Sequence, residues 1–294
     1  YIMSCLDVKK TMKLKELKEL TQAKLLKIYG IEESRSIFHL LLNEFLGIDV
    51  INFHINGDKK ISLDSLNLFN EKISLIEKEI PVQYVIGHVI IEGLKIFVNK
   101  SVLIPRPETV DLCNWIIQKK LNDQVILDIG TGSGLIALFL KKNSNNCVIH
   151  AWDNSEKALR IAKKNAKQNY LDINFNNVDI LKKHDHTIKF DIIVSNPPYV
   201  HKKEKNLISN VVLKNEPHEA IFVNSDDDLL FYKTIINFSK SHLKQKGIIY
   251  FECHKETINQ VKNLLIINKF TDIEIKKDSF GINRMIKANS YGDA

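Results

Sequence analysis

Asp128-Ile129-Gly130-Thr131-Gly132-Ser133-Gly134 is the stretch that decides the fold class. Residues 124–129 form the short apolar run of a buried strand, and residues 133–142 read as a helix. A strand handing over to a helix through glycines is the first turn of an open α/β sheet. The spacing is G-x-G-x-G rather than the G-x-G-x-x-G of a dinucleotide fingerprint, and no Lys-Ser/Thr follows as in a phosphate loop. Asp128, just ahead of the turn, opposes a pyrophosphate but suits a cationic ligand such as an amino group or a sulfonium. Asp153 lies 19 residues after Gly134, at the end of the next strand. A carboxylate there is placed to accept from both ribose hydroxyls of a nucleoside. The combination favours S-adenosylmethionine over NAD. Such a turn is also common as plain structure, with Ser133 as a helix cap and Asp153 as a solvated strand end.

Outward from this turn the chain alternates. Strands are expected at 147–152, 173–178, 190–195 and 247–253, and helices at 155–168, 227–243 and 256–267. Two short strands close the chain near Ile273 and Met285. This order predicts an α/β fold with a doubly wound, mostly parallel sheet. Ahead of it, residues 12–29, 32–45 and 63–79 carry apolar residues at helical spacing and predict a small helical bundle. Gly30 is expected to end the first of these helices and Gly47 the second. Residues 82–98 are rich in β-branched and aromatic residues broken at Glu92-Gly93, the pattern of a β-hairpin. The expected division is 1–80 for the helical domain, 81–106 for hairpin and linker, and 107–294 for the α/β domain.

A second chemical signal is Asn196-Pro197-Pro198-Tyr199, at the carboxyl end of the strand 190–195. Open α/β sheets bind their ligands at that edge. Two consecutive prolines remove two N–H donors and stiffen the turn. The Asn196 side-chain oxygen and the Pro197 carbonyl are then suited to hold both hydrogens of one planar –NH₂ group. Tyr199 is expected to lie against the flat face of that group. Orienting the two hydrogens turns the nitrogen lone pair toward an incoming methyl. Charge developing on nitrogen then faces carbonyl dipoles. No strong general base is needed, because the proton can leave after transfer.

Composition excludes several classes. The chain has 294 residues, 44% hydrophobic and 26% charged, ordinary for a globular protein. Disorder, collagen and a disulfide scaffold are excluded as its main character. Lys plus Arg number 42 against 35 acids, a net charge of +7. Nucleic-acid binding is the first reading of such a balance. Yet only Arg35, Arg106, Arg160 and Arg284 are arginine, and a Lys-heavy skew fits A/T-rich codons without a partner. Cys5, Cys113, Cys147 and Cys253 contain no C-x-x-C pair, so no metal site is expected and a reducing compartment fits. No apolar run reaches membrane-spanning length, and residues 1–11 lack a secretory apolar stretch. A cytoplasmic location is expected, with Met3 and Met12 as candidate starts. His184-Asp185-His186 is read as a polar loop rather than a metal site. Asp226 to Asp228 are read as an acidic helix start, and Lys202, Lys203 and Lys205 as a solvated loop that could help dock a partner.

Further motifs narrow the field. They are Ile80-Pro81-Val82-Gln83-Tyr84-Val85-Ile86-Gly87, Val102-Leu103-Ile104-Pro105-Arg106-Pro107-Glu108-Thr109, Glu216-Pro217-His218-Glu219-Ala220 and Asp278-Ser279-Phe280-Gly281-Ile282-Asn283-Arg284. With the two turns above, the chain resembles the PrmC (HemK) family of release-factor glutamine methyltransferases over about residues 12–287. The resemblance implies a class I (Rossmann-like) methyltransferase domain behind an N-terminal helical domain. It implies methyl transfer from S-adenosylmethionine to the side-chain amide of the Gly-Gly-Gln glutamine in peptide chain release factors. Carried over by position, the cofactor contacts fall on Asp128, Gly130, Thr131, Gly132, Ser133, Gly134, Asp153, Asp179, Ile180 and Asn196. The amide pocket falls on Asn196, Pro197, Pro198 and Tyr199. Arg106, held between two prolines, is expected either to brace the wall of the site or to form an ion pair within the linker. The chain departs from the family pattern at Ile180, where Trp can stand, at Val110, where an acid is usual, and at Ile90 and Ile91 in place of an aromatic. Adenine is therefore expected to bind without aromatic stacking. The alternative from the Asn-Pro-Pro-Tyr turn alone is an adenine amino-methyltransferase on DNA or RNA. A monomer without a stable nucleic-acid partner or membrane association is expected.

Overall fold

The computed structural model describes residues 11–182 and 187–290. The His184-Asp185-His186 loop lies outside the described residues. The chain divides into two compact units. One runs to Gly87 and includes 210–215; the other holds His88–Ser209 and Glu216 onward.

The first unit is helical: α1 (Leu14–Leu25), α2 (Ile31–Leu46), α3 (Val50–Ile55), α4 (Leu63–Glu77) and α5 (Val82–Ile86). A two-residue ladder, β1 (Met12–Lys13) with β2 (Lys60–Ile61), ties its start to the segment before α4. Leu17, Phe38, Leu41, Phe69 and Ile73 are buried together, with the Phe38 ring edge-on to Phe53 and Phe69. Gly47 ends α2 in the left-handed region, as expected. Gly30 does not end α1. That helix stops at Leu25, and Gly30 instead caps the start of α2.

The hairpin is also shorter than its composition implied. Residues 82–86 are helical, because Val82, Val85 and Ile86 recur at helical rather than alternating spacing and pack on the core of the helical unit. Gly87, at φ +85°, ends that turn. The hairpin itself is β3 (His88–Ile91) and β4 (Leu94–Phe97), turning at Glu92-Gly93.

The second unit continues with α6 (Pro107–Ile117), β5 (Val125–Ile129), α7 (Leu135–Lys142), β6 (Val148–Asp153), α8 (Glu156–Gln168), β7 (Asn174–Asn177) and β8 (Phe190–Ser195). A 3-10 turn (Lys202–Leu207) and two short helices, α9 (Asn210–Asn215) and α10 (His218–Ile221), follow; α9 belongs to the helical unit. Then come α11 (Leu230–His242), β9 (Leu243–Glu252), α12 (Ile258–Ile267), β10 (Thr271–Lys277) and β11 (Asn283–Asn289). The sheet order is β10-β11-β9-β8-β5-β6-β7. Pairing from β9 to β7 is parallel, and β11 runs antiparallel to both neighbours. β5 and β8 are buried along most of their length, as strands covered on both faces must be. In α7, Leu135 to Leu140 are all buried, because it packs among α6, α8, β4, β5 and β6.

The chain winds in opposite senses from β5. β6 and β7 lie on one side and β8 and β9 on the other. The switch point therefore falls between the carboxyl ends of β5 and β8, where such sheets open a crevice. Ser195 Oγ donates to the Ile129 carbonyl (2.7 Å) across that point. Among the described residues no helix is long and apolar enough to cross a membrane.

Candidate active site

The crevice at the switch point is a cavity. Its wall is formed by Gly130 to Ser133 after β5, Asp153 at the end of β6, Asp179 and Ile180 after β7, and Asn196 to Pro198 after β8. Ile104 to Arg106 and Glu219 close it from the other side.

The glycine turn is built by backbone pairing. Gly130 and Thr131 both donate to the Trp152 carbonyl, at 2.8 and 3.0 Å. Gly130 has φ +75°, and a Cβ built on it meets no protein atom within 4 Å, so it leaves open the space a ligand would enter. Gly134 has φ +87° for a different reason. A Cβ there would come 3.3 Å from the Cβ of Ala162, so glycine lets α8 approach the turn closely. Gly134 itself is not part of the cavity wall.

Asp153 joins two loops. One carboxylate oxygen accepts from Gly132 N–H (2.8 Å) and the other from Ser155 N–H (2.8 Å). Burial raises its pKa against these two bonds, and the charge of Glu219 adds to the rise. Asp128 is fully buried and does not reach the wall. Its Oδ2 accepts from the Thr131 hydroxyl (2.6 Å) and Ala137 N–H (3.3 Å), and its Oδ1 has no partner. Burial pushes this carboxyl up to about 7. Asp128 thus shapes the turn from beneath instead of touching a ligand. Asp179 Oδ1 accepts from Leu181 N–H (3.1 Å), and Ile180 is buried as apolar cover.

Asn196 Nδ2 donates to the Thr109 hydroxyl (3.0 Å), leaving Oδ1 as the acceptor available to a ligand. Tyr199 departs from expectation. It is absent from the wall; its hydroxyl donates to Glu252 Oε1 (3.1 Å) and its ring stacks on His254. The paired prolines turn the chain so that Tyr199 points to the end of β9 rather than over the amide position. After it, residues 201–221 form an excursion bracketed by a two-way bridge, Val200 N–H to the Ile221 carbonyl and Val223 N–H to the Val200 carbonyl. Lys202, Lys203 and Lys205 are exposed on this excursion.

Arg106 pairs with Glu216 (2.6 Å), a carboxylate 1% exposed whose other oxygen accepts from Ile104 N–H (3.0 Å). One buried acid therefore fixes the kinked linker and the cavity wall together, so bracing and a linker ion pair are one arrangement. Glu252, Thr109 and Asn165 were not singled out from the sequence as site residues. Glu252 left a legible signal, a lone acid closing the apolar strand end Ile248 to Phe251.

Family comparisons agree with this geometry. A model of the PrmC N-terminal domain matches residues 20–87, and a model of the methyltransferase small domain matches residues 109–218. A release factor glutamine methyltransferase from Flavobacterium psychrophilum is 40% identical, covering 89% of this chain and 94% of the relative. The chain belongs to the release factor glutamine methyltransferase family. A second family member, from Bacteroides thetaiotaomicron, is 35% identical over 89% of this chain and 95% of its own. A methyltransferase crystal structure from Pyrococcus furiosus shares the fold, with TM-score 0.53 and 20% identity over 69% of this chain and 91% of that one.

The donor set of the cavity fits the family's cofactor, S-adenosylmethionine. In a protein of net charge +7, the charged groups on this wall are Asp153, Asp179 and Glu219 against Arg106, which is already paired with Glu216. That imbalance attracts a cation and offers acceptors to hydroxyls.

Proposed function

We propose that this chain transfers a methyl group from S-adenosylmethionine to the side-chain amide nitrogen of the Gly-Gly-Gln glutamine of peptide chain release factors, with Asn196 and Pro197 holding the amide. The observation that carries the amide-holding role is the state of Asn196. Its NH₂ is committed to Thr109, which leaves Oδ1 as a free acceptor, and the carbonyl of the next residue, Pro197, accepts no backbone N–H among the described residues. Two unused acceptors on a proline-stiffened turn match the two hydrogens of a primary amide.

When bound, S-adenosylmethionine supplies an electrophilic methyl group on a positively charged sulfur. Asp153 would hold the ribose hydroxyls and Ile180 would cover one adenine face by apolar contact. Gly130 to Ser133 would let the cofactor approach the turn closely, since no side chain stands at Gly130. Asn196 Oδ1 and the Pro197 carbonyl would orient the substrate amide so that its nitrogen lone pair leaves conjugation. The same two oxygens stabilise the positive charge that grows on that nitrogen. Their fixed positions remove most of the orientational cost. The reading as an adenine amino-methyltransferase, open on the turn alone, is not favoured by the relatives, which are named for release factor glutamine.

The test is methyl transfer to purified release factor, read by mass spectrometry of the Gly-Gly-Gln peptide. One methyl on that glutamine is expected. Asn196→Ala should lower kcat by about 10²–10³-fold, the scale of losing one preorganised partner of developing charge, with cofactor affinity changed less than about threefold. An unmodified glutamine while S-adenosylmethionine binds, or methylation of nucleic acid that outpaces release factor, overturns the reading.

A further inference from the structure

The parallel register places Ser195 beside Phe251, so Asn196 and Glu252 leave β8 and β9 level with each other. Glu252 is 1% exposed, and among the described residues no cation lies within ion-pair distance of it. Its two oxygens are nevertheless both used. Oε2 accepts from the Thr109 hydroxyl (2.7 Å) and Oε1 from the Tyr199 hydroxyl (3.1 Å).

The direction of each bond in this chain is fixed by chemistry. A carboxylate only accepts, whereas a hydroxyl has one proton and lone pairs to spare. Thr109 must spend its proton on Glu252, so toward Asn196 it can only accept. Asn196 must then present its NH₂ to Thr109, at 3.0 Å. An amide with its NH₂ held on one side carries its oxygen on the other. A protonated or neutral group at 252 breaks this logic. It frees the Thr109 hydroxyl to turn, and Asn196 can then offer either end.

We propose that Glu252 is a positioning residue, whose ionised carboxylate acts through Thr109 to lock the Asn196 carboxamide with Oδ1 toward the substrate amide. This rests on the amide-holding role given to Asn196 above. Geometry carries it, and the environment makes it sensitive to pH. Facing Glu252 are Glu108 and Cys113 on α6, Tyr199 after β8, Tyr232 on α11, Cys253 beside it, and Arg284 on β11. Burial dominates and pushes the Glu252 carboxyl up to about 7, while Thr109, Tyr199 and Arg284 pull it back. The ionised, locking form therefore gains population as pH rises from 6 to 8.

The experiment compares wild type, Glu252→Gln, Thr109→Val and Thr109→Ser in the full chain. Methyl transfer to release factor is followed across pH 6–9. Glu252→Gln should lower kcat at pH 8 by about 30-fold, less than the roughly 10²–10³-fold of losing a preorganised partner outright because Asn196 itself remains, while the KM for release factor and the Kd for S-adenosylmethionine move less than about threefold. The rise of kcat between pH 6 and 8 should vanish in this variant. Thr109→Val cuts the same link while keeping the carboxylate, which then loses the bond to Oε2 but retains the Tyr199 hydroxyl, and should show the same kcat loss even if Glu252→Gln folds poorly. Thr109→Ser should recover most of what Thr109→Val loses. A kcat for Glu252→Gln within twofold of wild type, a retained pH limb, or equal rates for the two Thr109 variants overturns the proposal. Should wild type leave release factor unmodified, the functional reading fails first. The positioning claim is then read without substrate, from the Asn196 side-chain amide signals in ¹⁵N NMR, assigned by their loss in Asn196→Ala. They should be sharp above pH 8 in wild type and broadened in Glu252→Gln; identical signals in the two overturn it.

Discussion

Asp153 shows how one residue carries two duties. Each carboxylate oxygen holds a backbone N–H, from Gly132 and from Ser155, and the residue also lines the cavity, with acceptor capacity left on both oxygens. Asp153→Asn keeps the shape but replaces one acceptor with an NH₂ aimed at an N–H that already donates. It also removes a negative charge from the wall. Hydrogen bonds to charged groups contribute about 1.5–3 kcal/mol. The Kd for S-adenosylmethionine should therefore rise by roughly 10–100-fold, measured by calorimetry; an affinity within threefold of wild type would remove Asp153 from the binding account. Its place was legible because an acid at the end of the second strand has a known geometric meaning. The function of Asp128 was not legible. Its position beside the glycine turn reads as a ligand contact, whereas burial and its bond to Thr131 turn it inward. Sequence position fixes which residue stands at a strand end but not which way its side chain turns.

At the scale of elements, α8 grips the hairpin by its backbone. Asn165 takes both the N–H and carbonyl of Phe97 (2.8 and 3.0 Å), and Asn169 takes both of Lys95 (3.0 and 2.8 Å). Four residues of helix rise about 6 Å and two residues of strand span about 6.6 Å, so the two spacings match. The asparagines thus satisfy β4 on the edge where it has no strand partner. Asn165 also donates to the Ser133 carbonyl (2.8 Å), tying the glycine turn to the hairpin. Asn165→Ala leaves one buried and two part-buried backbone groups without this partner, at about 1–3 kcal/mol for a fully buried group before relaxation and less for the others. A loss of about 3 kcal/mol would lower Tm by roughly 6–12 °C at 2–4 °C per kcal/mol. Thermal melting checks this, and a shift under 2 °C would refute the grip. The strands and helices around the sheet were readable because their periodicity agrees with their burial. This clamp was not, because Asn165 in sequence is one polar residue among lysines on an amphipathic helix. The helical turn 82–86 was missed for a related reason: β-branched content outweighed the spacing of Val82, Val85 and Ile86.

At the scale of the whole molecule, charge is distributed against its own total. In a chain of net +7, the buried acids among the described residues, Asp128, Glu216, Glu252 and Asp278, all lie in the α/β unit. Asp128 and Glu252 are both pushed up to about 7, chiefly by burial. In the folded state each holds its proton to higher pH than in the unfolded chain, where it ionises near 4. Between these limits the unfolded state has fewer protons bound, so stability falls as pH rises. The contribution is fully present below about pH 4 and is lost by about pH 7 to 8. Other charges titrate over the same range, and repulsion among the lysines and protonated histidines opposes the trend at low pH. A difference measurement isolates the buried acid. Asp128→Asn is nearly isosteric, and the Oδ1 it alters has no partner to lose. The variant carries no charge to bury, so its Tm should change less than that of wild type between pH 5.5 and 8. Its advantage over wild type should therefore grow with pH and be largest at pH 8, in cofactor-free protein followed by calorimetry. Melting curves of the two proteins that stay parallel across this range would mean that Asp128 is not desolvated as its position implies.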